Sequence, residues 1–243
     1  MNMNININAI TSELYKAFEY INKDFFNGEI IEPLITVQSK GNRKNVLGWC
    51  TVDKVWIKGE EKYNYEINIV AEYLDSGFEQ VMTTLMHEMI HLFHKQKNIK
   101  DTSRGGTYHN KTFKNKAEDV GFNVKYDERI GYSWCTMTQQ MRDIVYKYDL
   151  NKELYTISRY SEDVDFSKRR KKAIQKAKEE GFSNEEIKEA IDKIDKELEF
   201  AKKKRKGGYI KYKCPCCDTT IRATKKVRVM CVDCNVSFVE EEK

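Results

Sequence analysis

Proline is nearly absent from this chain. Only Pro33 and Pro215 occur in 243 residues, so long secondary-structure elements are rarely interrupted. No apolar run approaches the roughly 20 residues needed to span a bilayer, so no membrane partner is expected. The start, MNMNININAI, has neither a basic segment nor a small-residue cleavage site, and does not read as a secretory leader. A cytoplasmic protein is the expectation. In that reducing compartment seven cysteines read as metal ligands or free thiols before disulfides. Histidine is also scarce, with four in all, and every one lies within residues 87–109.

What is present argues for a folded chain. Apolar residues make up 40% and aromatic residues 12%, too much for a disordered protein even with 33% charged residues. The net charge of +5 is unevenly spread. Residues 1–150 hold 19 Lys and Arg against 20 Asp and Glu, whereas residues 151–243 hold 24 against 18. From Lys202 to Arg228 there are eleven basic residues and a single acid, Asp218. A polyanion would therefore meet the C-terminal half.

Periodicity divides the chain into three expected parts: 1–150, 151–206 and 207–243. In the first, Leu14, Phe18 and Ile21 mark a helix capped by Ser12 and ending near Gly28. PLITVQSK, VLGWCTV and YNYEINIVA read as a small sheet, antiparallel in part, with Tyr65, Ile67 and Ile69 alternating against polar neighbours. Turns fall at Gly41-Asn42 and Lys58-Gly59-Glu60. Val81, Leu85, Met89 and Phe93 then recur at helical spacing behind a Ser76/Glu79 capping box. A polar Gly105-Gly106 loop leads into a short helix with Phe113, Ala117 and Val120 on one face. Residues 124–138 read as loop or irregular strand, followed by a short helix. Residues 151–206 read as two charged helices around Gly181, a solvated hairpin or linker arm. Their features are a Ser183/Glu186 capping box and a narrow Ile187, Ile191, Ile194 and Leu198 stripe.

LMHEMIHLFHKQK (residues 85–97) raises the chemical question. His87 and His91 are four apart, so both imidazoles lie on one helix face and can reach one zinc ion. Glu88 lies beside that face and can act as general base on an activated water; this HExxH pattern is the arrangement for metal-assisted hydrolysis. Met86, Met89 and Ile90 would bury the helix. His94 sits roughly 10 Å along the axis from His87, too far to converge easily on the same ion, and reads as a supporting or surface residue. His109, beyond the glycine turn and at the head of the next helix, is the expected third ligand.

With HEMIH, the glycine loop, YHNKTFK and the preceding LGWCTV and YEINIV strands on the page, the chain resembles the SprT-like (Spartan-type) zinc metalloprotease family over roughly residues 10–138. The resemblance implies a gluzincin-like α+β fold and proteolysis, often of proteins attached to DNA. It also matches His109 and Phe113 to that family's third histidine and following phenylalanine. Where the family often has Gly-His-Gly, this chain has Tyr108-His109-Asn110. Tyr108, Arg104 and Tyr132 are candidates for stabilising an oxyanion.

Cys214-x2-Cys217 and Cys231-x2-Cys234, thirteen residues apart, form a second constellation with the spacing of a structural four-cysteine zinc site. The residues between them, DTTIRATKKVRVM, alternate as a hairpin would, hence a zinc ribbon. Some thirty-five residues cannot bury enough core alone, so the metal is expected to hold them together. Cys216 is left over, and Cys50 and Cys135 read as buried core thiols. The basic field around the ribbon, with Tyr209 and Tyr212 interleaved, suits sequence-independent DNA contact; a ribbon that only stabilises the chain is the plain alternative.

The expectation is therefore a cytoplasmic zinc metallopeptidase with a catalytic and a structural zinc, acting on a protein substrate near DNA. Two rivals stand beside it. One is a non-catalytic DNA-binding zinc protein that uses the fold as a scaffold. The other is a peptidase indifferent to DNA, whose ribbon docks proteins.

Overall fold

The computed structural model describes residues 5–43, 46–179, 183–205 and 209–241. The chain divides into two compact units, residues 1–161 and 162–243.

The first unit is mixed α+β. Helix α1 (Ile7–Phe26) buries Ile10, Leu14, Phe18 and Ile21 along one stripe. Its cap is Asn6, whose Oδ1 accepts from the Ala9 N–H at 3.0 Å; Ser12 lies inside the first turns and caps nothing. Asn27 adopts the left-handed conformation (φ 54°) that ends the helix. Strands β1 (Leu34–Gln38), β2 (Gly48–Cys50), β3 (Trp56–Lys58), β4 (Glu61–Asn64) and β5 (Glu66–Val70) follow, with turns at Gly41-Asn42 and Gly59-Glu60 as the sequence suggests. β5 is the centre of a three-stranded sheet, parallel to β1 and antiparallel to β2, while β3 and β4 form a separate hairpin. The alternation expected at Tyr65, Ile67 and Ile69 does not describe exposure, because every residue of β5 is buried. Its polar positions are covered and bonded: Asn68 Oδ1 accepts from Thr36 Oγ1 at 3.0 Å, and Glu66 Oε2 from Trp56 Nε1 at 3.1 Å.

A 3-10 turn over Ala71–Ser76 leads to helix α2 (Phe78–Gln96). The expected Ser76/Glu79 box is not formed. Gly77 occupies the cap position at φ 92°, and Glu79 instead accepts from Arg142 Nε at 2.8 Å. Val81, Leu85, Met86, Met89 and Ile90 are fully or almost fully buried. Each such side chain contributes roughly 1.5–3 kcal/mol relative to exposure, enough to fix the helix without a side-chain cap.

The loop after α2 carries two short strands, β6 (Thr102–Ser103) and β7 (Tyr108–His109). Helix α3 (Lys111–Asp119) buries Phe113 and Ala117. Residues expected to be irregular form a regular antiparallel hairpin, β8 (Phe122–Asp127) and β9 (Gly131–Met137), with a bulge between Lys125 and Asp127. β7 runs parallel to β9, completing a sheet of order β6-β7-β9-β8. Helix α4 (Gln139–Val145) follows, capped by Thr138.

In the second unit, helices α5 (Glu162–Glu179) and α6 (Asn184–Arg205) pack on each other. Glu162, Asp163 and Asp165 lie in the first turn of α5, where they oppose the helix dipole. Arg169–Glu197 (2.8 Å) and Arg170–Asp195 (3.4 Å) pair across the two helices. The Ser183/Glu186 box is present: Glu186 N–H donates to Ser183 Oγ at 3.3 Å, and Ser183 N–H to Glu186 Oε2 at 2.8 Å. Ile187, Ile191 and Ile194 are half-buried; Gly181, Lys206 and the Leu198 side chain lie outside the described residues.

Strands β10 (Ile210–Lys213), β11 (Thr220–Ala223), β12 (Met230–Cys231), β13 (Val236–Ser237) and β14 (Val239–Glu240) complete the chain. The hairpin expected between the knuckles is not the pairing found. β10 pairs with β11, and β12 with β13, so each CxxC turn closes its own hairpin. Among the described residues no helix is long and apolar enough to cross a membrane.

Candidate metal centres

His87 and His91, one turn apart on α2, and His109 at the end of β7 place their Nε2 atoms together. His109 Nε2 is 3.1 Å from that of His87 and 3.0 Å from that of His91. Phe113, one turn into α3, packs against all three imidazoles with ring centroids 4.6–4.8 Å apart.

His109 reaches this position through two backbone constraints. Its N–H donates to the Ile130 carbonyl at 3.0 Å, and it pairs with Gly131 across the β7–β9 ladder. Gly131 has φ 68°, and a Cβ there would lie 2.0 Å from the His109 carbonyl oxygen, so glycine is required. On the other side, Asn110 caps α3: its Oδ1 accepts from the N–H groups of Thr112 (2.7 Å) and Phe113 (3.2 Å). A capping role gives Asn110 a local reason to stand where the family often has glycine.

The ring tautomers follow from the partners at Nδ1. His91 Nδ1 donates to Asp101 Oδ2 at 2.7 Å, and His109 Nδ1 to the Ile130 carbonyl at 3.3 Å. Both Nε2 atoms therefore carry lone pairs, which face each other at 3.0 Å. Two such lone pairs repel unless a cation lies between them. A tetrahedral zinc at roughly 2.0–2.1 Å from each nitrogen would set them roughly 3.3–3.4 Å apart, close to the spacing found. The donor set fits a metal ion.

Burial, then the neighbouring His91 and His109, push His87 well below the ordinary histidine range, and burial takes His109 to about 4. Both are neutral at pH 7, the form that ligates. Glu88, also buried, is raised by that burial to about 7, against the pull of His91 and of a hydrogen bond from the Cys50 backbone N–H. That bond ties Glu88 to strand β2, the edge of its sheet. β2 comes so close that a Cβ on Gly48 would lie 2.8 Å from Thr84 Cγ2 and 3.4 Å from Glu88 Cγ.

Three of these features were not readable in the sequence: Asp101, Gly48 and Gly131. Asp101 is fully buried and accepts from His94 Nδ1 (3.1 Å) as well as His91. Burial opposes its ionisation, but the two histidine bonds outweigh it and hold the carboxyl well below the usual range. His94 is thus a buried supporting group, not a surface one. The only sequence signal for Asp101 was an acid in the polar loop seven residues beyond His94. Cys50 and Cys135 are half-buried at the edge of the core, and burial raises both thiols, Cys135 to about 12. Tyr108 OH lies 3.3 Å from Tyr126 OH, Arg104 stands over the Tyr108 ring at 4.5 Å, and Tyr132 packs on Tyr126 at 5.1 Å.

In the second unit the Sγ atoms of Cys214, Cys217, Cys231 and Cys234 all lie within 4.8 Å of one another. Cys217 and Cys231 are 3.8 Å apart, the edge expected of a tetrahedron with zinc–sulfur bonds of roughly 2.3 Å. Thr219 draws the Cys217 thiol down to about 6, a thiolate at neutral pH. Cys216 is exposed and outside the four. Around them Lys211, Lys213 and Lys226 pair with Glu241, Asp218 and Glu240, whereas Arg222, Lys225 and Arg228 are exposed and Arg222 lies over the Tyr209 ring at 4.6 Å.

Fold and sites together define a mixed α+β protein with, among the described residues, two groups able to hold a metal ion, one of three histidines and one of four cysteines. The profile of the SprT-like family matches residues 14–143, more than half the chain, and the protein belongs to that family. The match spans the whole histidine group and ends before the cysteine unit. No curated protein and no solved structure matches the chain.

Proposed function

We propose that the protein is a zinc-dependent metallopeptidase of gluzincin-like fold in which His87, His91 and His109 hold the catalytic ion. The observation that carries this reading is the convergence of three Nε2 atoms beside Glu88, two of them with lone pairs facing each other, on a helix and loop that lie within the SprT-like match. Zinc bound there supplies Lewis acidity and a water ionisable near neutral pH. The chain supplies the rest. Glu88 takes the water's proton and returns it to the leaving amine; its affinity for a proton, raised by burial, suits both transfers. The Cys50 N–H holds the carboxylate in place. Strand β2 ends its sheet among the described residues, and its outer edge, apart from the Cys50 N–H held by Glu88, offers backbone groups to an extended polypeptide by strand addition.

Cys214, Cys217, Cys231 and Cys234 hold a second, structural zinc in this reading. Proteins bound to DNA are the proposed substrates, the exposed Arg222 over the Tyr209 ring, together with exposed Lys225 and Arg228, supplying salt-sensitive DNA contact. The test is incubation of the purified protein with a basic DNA-binding protein, with and without single-stranded DNA, beside Glu88→Gln. DNA-stimulated fragments that the variant fails to produce support both halves. Fragments without DNA dependence keep the peptidase and remove the DNA role. No cleavage from protein holding two zinc ions overturns the reading in favour of a non-catalytic binder.

A further inference from the structure

Asp101 occupies a position that neither hydrolysis nor core packing by itself accounts for. Its side chain is fully buried, yet it lies in the loop between α2 and β6, and its Oδ1 atom has no partner. Its Oδ2 accepts from two imidazoles at once, His91 Nδ1 at 2.7 Å and His94 Nδ1 at 3.1 Å. The backbone here is tied to the third histidine. The Asn110 N–H donates to the Asp101 carbonyl at 3.0 Å, and the next residue, Thr102, pairs with His109.

We propose that Asp101 is a positioning residue for the metal, with His94 as its second anchor. It fixes His91 in the tautomer that leaves Nε2 free, and joins the loop carrying His109 to the helix carrying His87 and His91. His94 is thereby explained as the group that holds Asp101 from a second side. Carboxylate partners of metal-ligating histidines commonly contribute 10–100-fold in metal affinity. The inference rests on the three-histidine group being a metal site.

The experiment is zinc competition against a chromophoric chelator on the full-length protein, with the cobalt absorption spectrum as a second readout. Asp101→Leu, Asp101→Asn and His94→Phe are compared, and His87→Ala identifies which ion belongs to the histidines. Asp101→Leu is expected to weaken that ion by about 10–100-fold while the cysteine-bound ion is unchanged. Asp101→Asn, which keeps an acceptor without the charge, should fall between Asp101→Leu and the parent. His94→Phe removes a buried bond without touching a ligand; it should lower the melting temperature but change zinc affinity far less than Asp101→Leu. Parent-like zinc affinity in Asp101→Leu overturns the proposal. A parent protein that binds a single ion, unaffected by His87→Ala, removes the metal site itself, a result distinct from that one.

Discussion

The two metal groups are built in opposite ways. The three histidines sit in a unit with an extensive core, two of them on a helix whose inner face is buried by Leu85, Met86, Met89 and Ile90 and the third at the end of β7. Hydrogen bonds to Asp101 and Ile130 orient two of the rings, and Phe113 packs against all three. The four cysteines sit among strands of two to four residues, where Tyr212, Cys214 and Cys231 are the buried side chains among those described. In the first unit the fold makes the site. In the second an ion held by the four cysteines would help make the fold, because so small a core cannot offset chain entropy alone.

The sharpest way to break that comparison is to remove one ligand or base from each. Glu88→Gln should lower peptide cleavage by about 10²–10⁴-fold with both ions retained, measured by turnover and metal content. Loss of the histidine-bound ion in that variant would mean that Glu88 is part of the binding shell. Cys217→Ser should unfold β10–β14, read by amide exchange, while cleavage of a short unstructured peptide stays within about twofold. If the unit that carries the histidines unfolds with it, the units are not independent.

Gly131→Ala tests whether the fold makes the histidine site. A Cβ 2.0 Å from the His109 carbonyl oxygen forces the β7–β9 pairing apart. The expected cost is about 2–4 kcal/mol by chemical denaturation, accompanied by weaker metal binding. Full zinc affinity in a destabilised protein would show that His109 finds the metal without the ladder.

A smaller effect concerns Glu88 in metal-depleted protein. Its carboxyl is near 7 when folded, above its value in the unfolded chain, so the folded state holds the proton more tightly. Stability is therefore full below the ordinary carboxylate range and falls as pH rises through about 7. Glu88→Gln should stabilise the depleted protein by about 1–3 kcal/mol at pH 8 and by much less at pH 5. Equal gains at both pH values would contradict a buried, ionising carboxylate. The smallest effect belongs to the ribbon surface. Replacing Arg222, Lys225 and Arg228 by alanine should make DNA affinity less dependent on salt, whereas Lys211→Ala, already paired with Glu241, should change it little.

The parts that were legible in the sequence are those governed by spacing along the chain. Four residues on a helix put His87 and His91 on one face, and CxxC puts two thiols on one turn. The buried stripe of α2 followed from its period. Caps were less readable, because Asn6 and Gly77 compete with Ser12 and Ser76 and only the actual chain path decides between them. Residues 124–138 read as loop or irregular strand rather than as the β8–β9 hairpin because its bulge and exposed Tyr126 and Trp134 blur the period-two pattern. The alternation around Ile67 and Ile69 does mark a strand, β5, but not one with a solvent face: a central strand covered on both faces buries polar residues at alternate positions when partners bond to them.

By itself, then, the sequence determined which residues can ligate and how those within one element are disposed, since helical pitch and turn length are local properties of the backbone. Tertiary structure alone decided that His109 meets the α2 pair, that Asp101 and His94 stand behind His91, and that β2 lies against Glu88. Those contacts join segments far apart in the chain, and they depend on strand register and on two glycines that let backbones approach, neither of which has a local signature.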